Sequence, residues 1–155
     1  MMKFDGVGED FPGTCSNLQV PAGQKLAFRV FATGDQIYRW NGAAWTFVAP
    51  SALLYSAPGE HGYFGTHYAG PTWESRSGSR AVATVLDRCS ADEAAIPWLL
   101  LKVTASGGAG PLHDVEYIQR VQTAGGLAPS APGTFNGQET RVPYTSVYAF
   151  YHAGH

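Results

Sequence analysis

Between Lys25 and Ala32 the chain reads KLAFRVFA. In an extended backbone Leu26, Phe28 and Val30 share one face, with Ala27, Arg29 and Phe31 opposite. A period of two rather than 3.6 predicts a strand. Thr33-Gly34-Asp35 then reads as a turn. Two aromatic runs follow, QIYRW and AWTFV, separated by Asn41-Gly42 and two alanines. Asn and Gly both tolerate positive φ, so this pattern predicts a hairpin in which Tyr38, Trp40, Trp45 and Phe47 pair across the strands. Pro50 is expected to end that hairpin. The segments ALLY, YFGTHY and TWES read as short strands, the last two bent by Gly65 and by Gly70-Pro71. RAVATVL, from Arg80 to Leu86, is another.

Further along, SADEAA (residues 90–95) is the one credible helical turn, with Ser90 as its cap and Glu93 three residues on. Pro97 stops it. WLLLKVTA is nearly continuous apolar, which fits a central strand, and DVEYIQRVQT is a strand with two mixed faces. Residues 124–140 form a long loop rich in Gly, Pro, Ser and Ala, and YTSVYAFYH closes the chain as an aromatic strand. The pattern predicts an all-β fold: an antiparallel β-sandwich or barrel of about 8–10 strands, with at most one or two short helical turns. One β domain is expected over residues 1–155, with residues 1–17 as an N-terminal extension and 124–140 as the long loop.

Composition sharpens the picture in two ways. Charged residues are only 14% of the chain against 45% hydrophobic, so the surface is built largely from small polar residues and Tyr, a style common outside cells. The net charge is −2 with no Lys/Arg run, which argues against nucleic acid as a partner. No apolar run approaches the ~20 residues of a membrane-crossing helix. The N-terminus lacks the apolar core of a signal peptide, and a secreted, cell-surface or periplasmic protein whose signal has been removed is the expectation.

Cys15 and Cys89 are too few and too far apart for a zinc knuckle or a CxxC redox pair. They are either two buried thiols or a single disulfide, and the exported style favours the disulfide. Such a bridge would close a loop worth roughly 4–4.5 kcal/mol in the chain-entropy account.

The segments QIYRWNGAAWTFVAPSALLY, GTHYAGPTWES, IPWLLLKV, YIQRVQTAGG and RVPYTSVYAFY occur in this order. Together they resemble the family known as domain of unknown function 3455, over about Leu18 to His152. The resemblance implies a bacterial or fungal protein that usually follows a secretory signal, and it implies no established reaction. It also strengthens the expectation of a Cys15–Cys89 disulfide. Relatives often carry Cys where this chain has Trp40, and another near Gly133, so one bridge is exchanged for another. Some fungal relatives bear a malate dehydrogenase label. GVGEDF (residues 6–11) has two glycines of GxGxxG but Phe11 at the third, and follows no strand, so it gives that label no support.

Standard catalytic motifs are absent from the sequence. His67 and Glu74 are the candidates for acid–base work, His67 because imidazole titrates near neutrality and Glu74 if both face one cleft. The plainer alternative is a hydrogen-bonded structural histidine, with Trp73 inward and Glu74 outward. A metal ion held by His61, His67 and His113 is a weaker reading, since no spacing forces them together. Asp114 and Glu116 alternate on one strand and are expected as a solvated face. Arg120, among apolar neighbours, needs a partner, either a structural ion pair or an anion. His67, Tyr68, Trp73, Glu74 and Arg120 are the candidate ligand-binding set, with residues 65–79 lining the main cleft.

The functional expectation is an exported binding or structural domain for a small molecule, glycan or other surface ligand, with no cofactor. The alternatives are an enzyme centred on His67 and Glu74, metal-assisted or acid–base, and a self-assembling surface or matrix protein. A homo-oligomer is compatible with all three.

Overall fold

The computed structural model describes residues 13–154. The Gly6–Phe11 glycine motif and His155 lie outside the described residues. Eight strands follow a short 3-10 turn at Gly13–Leu18: β1 (Gln24–Trp40), β2 (Trp45–Ala57), β3 (His61–Tyr68), β4 (Thr72–Ser75), β5 (Arg80–Cys89), β6 (Trp98–Gly107), β7 (Tyr117–Gly125) and β8 (Glu139–Ala153). Each pairs antiparallel with the next, and β8 returns to pair with β1, closing a barrel. The expected all-β antiparallel class therefore takes its barrel form. Barrels of this strand number have interiors that side chains just fill, or that hold one small ligand.

Two expected turns run through as strand. Thr33-Gly34-Asp35 lies inside β1, paired on one side with β2 and on the other with β8. Gly34 is there for proximity: a β-carbon would collide with the backbone of Ser51 and Ala52. Pro50 likewise lies inside β2, opposite Gln36, just past a bulge at which Val48 is the extra residue between the Ile37–Ala49 and Tyr38–Phe47 pairs. The ladder is already interrupted there, so a residue without an N–H is tolerated. Residues 90–95 hold a single hydrogen-bonded turn, closed by Ala95 N donating to Asp92 O at 3.1 Å, and no helix longer than that. Asp92, not Ser90, caps it, its Oδ1 accepting from Ala94 N at 2.9 Å. The Asn41 turn forms as expected, with Tyr38 against Phe47 and Trp40 against Trp45 as edge-to-face pairs.

The barrel's two ends differ. At the end holding the β2–β3, β4–β5 and β6–β7 connections, Phe28, Phe64 and Phe150 stack across the interior, and Leu112 and Val115 cap them. Ser79 secures this plug by accepting from Leu112 N and bonding Ser75 Oγ. One layer up, His67, Trp73 and Tyr148 pack ring on ring. Beyond them, toward the other four connections, the interior is not filled.

Outside the barrel the 3-10 turn lies against β5 and β6, with Leu18 O reaching Gln119 on β7. Cys15, Leu18 and Leu100 form a second apolar cluster. The buried Gln119 donates to Leu18 O and accepts from Tyr151 Oη. The Cys15–Cys89 disulfide, with Cα atoms 5.5 Å apart, fixes this segment to the end of β5.

Candidate functional site

The unfilled end is a cavity of about 250 Å³, open to solvent. Its wall is mostly apolar: Phe47, Pro50, Pro71, Val85, Leu99 and Leu101. Strand alternation explains the lining. Val30, Ala32, Gln36 and Tyr38 follow the same parity along β1, so Gln36 is carried inward with the core residues. The same rule turns Ile118 and Arg120 inward on β7.

His67 and Trp73 face each other across the β3–β4 ladder, their rings stacked at 4.4 Å. His67 Nδ1 lies 2.9 Å from Thr72 O. A carbonyl only accepts, so Nδ1 carries the proton and Nε2 is bare. Burial, reinforced by the positive charge of Arg120, brings the imidazole down to about 3 although the Thr72 bond opposes it, so His67 is neutral near pH 7.

Arg120 is 9% exposed and lines the cavity. Its Nε and Nη2 both donate to Pro97 O, at 3.1 and 2.8 Å. Among the described residues no carboxylate pairs with it; the ion pairs there join Arg39 to Glu139 and Arg141 to Asp35. A guanidinium cannot neutralise itself, and a buried charge with one carbonyl for company costs on the order of several kcal/mol. Two other cavity-lining residues are incompletely satisfied: Trp73 Nε1 and Gln36 Oε1 have no hydrogen-bond partner. The nearby phenols cannot supply the missing charge. Burial raises Tyr38 and, much further, Tyr144, outweighing the pull of Arg120, so both stay protonated.

The expected set thus divides. His67, Trp73 and Arg120 meet at the cavity, and Gly70 and Pro71 form part of its rim, joined by a cis peptide bond. Tyr68 and Glu74 project from the outer face of the same two strands, where Tyr68 Oη donates to Glu74 Oε1 at 2.6 Å. That bond raises the Tyr68 phenol. His67 and Glu74 therefore stand on opposite faces of the wall and make no acid–base pair, because alternate residues of a strand point opposite ways. Gly65 serves strand packing rather than a ligand: a β-carbon there would collide with Glu74 O. His61 and His67 stand six residues apart on β3, and His113, in the β6–β7 connection, lies against Gly108 O. Among the described residues no group of three or more His, Cys, Asp or Glu side chains is placed to hold a metal ion.

Gln36, Leu99, Leu101 and Tyr148 also line the cavity and were not among the expected site residues. Gln36 had a signal, a polar residue on the inward parity of an otherwise apolar face. The others are indistinguishable in sequence from ordinary core.

Fold and cavity together define a meander β-barrel plugged at one end and open at the other. The chain belongs to the family described as Protein of unknown function (DUF3455), which it matches over residues 21–152. No curated protein and no solved structure matches it. No helix among the described residues is long and apolar enough to cross a membrane.

Proposed function

We propose that this protein is a binding barrel that takes a small, largely apolar molecule into its open end. The observation that carries this reading is the cavity itself, a space of about 250 Å³ lined by Phe47, Val85, Leu99 and Leu101 beside a few polar groups. Ligand sites usually measure about 300–1,000 Å³ and combine apolar walls with a few convergent polar groups, so the occupant is at the small end of that class. A glycan fits less well, because its many hydroxyls would meet a wall offering few partners. The Cys15–Cys89 bridge supports an oxidising compartment, so we place the protein outside the cytoplasm.

The test is to fill the cavity from within. Leu101→Trp should abolish the rise in melting temperature that a small aromatic or aliphatic ligand gives the parent, while the barrel still unfolds cooperatively. If a panel of such ligands leaves the parent's melting temperature unchanged at millimolar concentration, the reading is wrong.

A further inference from the structure

We propose that the ligand is a small monocarboxylate and that Arg120 holds its carboxylate inside the barrel. This rests on the reading of the open end as a binding site. Three observations carry it.

Arg120 lacks a counter-charge. Its Nε and Nη2 share the single acceptor Pro97 O, and Nη1 bonds to nothing described. Guanidinium offers five N–H donors in a planar fork that matches the two oxygens of a carboxylate, and one carbonyl uses little of that capacity. Moreover, the surroundings cannot provide the charge. His67, Tyr38 and Tyr144 feel the guanidinium, yet burial keeps each of them neutral. A second unmet donor lies on a residue of the same wall, the Trp73 indole N–H, which has no acceptor. What the site lacks is a negative charge for Arg120 and an acceptor for the Trp73 N–H, while the unpartnered Gln36 Oε1 on the same wall is itself an acceptor and serves neither.

The rest of the lining sets the remainder of the molecule. Phe47, Pro71, Val85, Leu99 and Leu101 suit a hydrocarbon or aromatic body and give a polyanion no further cation. One guanidinium in an apolar chamber fits one carboxylate better than a phosphate dianion, which would keep an unpaired charge. The carboxylate seats on Arg120 and the apolar body fills the space toward the rim.

The experiment compares acids with their neutral isosteres on the full chain at pH 7: benzoate against benzamide, and hexanoate against hexanamide, followed by tryptophan fluorescence and melting temperature. The expected result is that each acid binds at least 10-fold more tightly than its amide, and that Arg120→Met removes this preference while amide binding persists. Arg120→Lys should restore part of it. The acid-to-amide ratio is read in the parent, so it stands even if a variant fails to fold. Amides binding as tightly as acids would overturn the carboxylate assignment and leave the binding barrel standing. Binding of neither would overturn both.

Discussion

His67 lies between Trp73 and Tyr148 with its one proton committed to Thr72 O, so a second proton could enter only at Nε2, inside the wall. The folded imidazole titrates at about 3, against about 6.5 for an unfolded histidine. Between those values the unfolded chain binds the extra proton and the folded chain does not. Stability from this group is therefore complete above pH 6.5 and is lost as pH falls toward 3, at up to about 1.4 kcal/mol per pH unit. His67→Asn can still donate to Thr72 O, its Nδ2 standing where Nδ1 does, but does not titrate. Urea unfolding at pH 7, 6 and 5 should show the parent losing about 2 kcal/mol more than the variant by pH 5; equal losses would mean that His67 is not shielded.

Arg120 makes the opposite kind of residue-scale prediction. If it is kept for a ligand, the empty barrel gains nothing from its charge. Replacing a poorly compensated buried ion with an apolar side chain is often neutral or stabilising by about 1–4 kcal/mol. Arg120→Met should thus unfold at the same or a higher urea concentration than the parent, despite the lost bonds to Pro97 O. A loss of more than about 2 kcal/mol would make the guanidinium a structural group rather than a reserved one.

At the scale of elements, the 3-10 turn is tied to β5 by the disulfide and to β7 by the Gln119 amide donating to Leu18 O. The bridge spans a sequence separation of 74. Cys15→Ser with Cys89→Ser should lower stability by about 2–4.5 kcal/mol in urea, with faster hydrogen exchange along Tyr117–Gly125. Unchanged unfolding would show that the outer cluster holds without it. The β3–β4 pair is equally specific: Gly65→Ala drives a methyl into Glu74 O and should cost about 1–3 kcal/mol.

These elements also show how far the sequence could be read. Strands β6 and β8 announce themselves, because they are apolar on both faces. The interior fills one side of each, while the outer cluster or a neighbouring segment covers part of the other. The opposite orientation of Trp73 and Glu74 follows from alternation alone. What alternation cannot supply is closure. Whether Thr33-Gly34-Asp35 turns or runs on depends on β2 and β8, both distant in sequence. The Arg120 site is hidden for the same reason, since a missing carboxylate is visible only once every neighbour is known. Trp40 offers a smaller case. Its ring packs on Gly133, where any β-carbon would collide with it, a contact between distant parts of the chain that alternation does not reveal.

In the molecule as a whole, the phenylalanine plug, the His67–Trp73–Tyr148 layer and the open chamber succeed one another along the barrel axis. The wall beside the chamber is thin. Strand β4 pairs with β5 only from Glu74–Arg80 to Thr72–Val82, extended by Ala83 N to Pro71 O. Past that point no strand among the described residues pairs with β5 on this side, and Val85 and Pro71 both line the chamber. Ligand entry is expected there, between the β3–β4 turn and β5, rather than through the plugged end.

The central claim, that a small carboxylate binds within this barrel, is tested most directly at the indole N–H of Trp73. The four tryptophans give four indole N–H resonances in a nitrogen-15 correlation spectrum, and Trp73→Phe identifies the relevant one. Titration with benzoate should move the Trp73 resonance saturably, with Trp40, Trp45 and Trp98 nearly unaffected, and Arg120→Met should abolish the movement. A Trp73 resonance that stays still while benzoate shifts the others, or shifts none, would contradict the account.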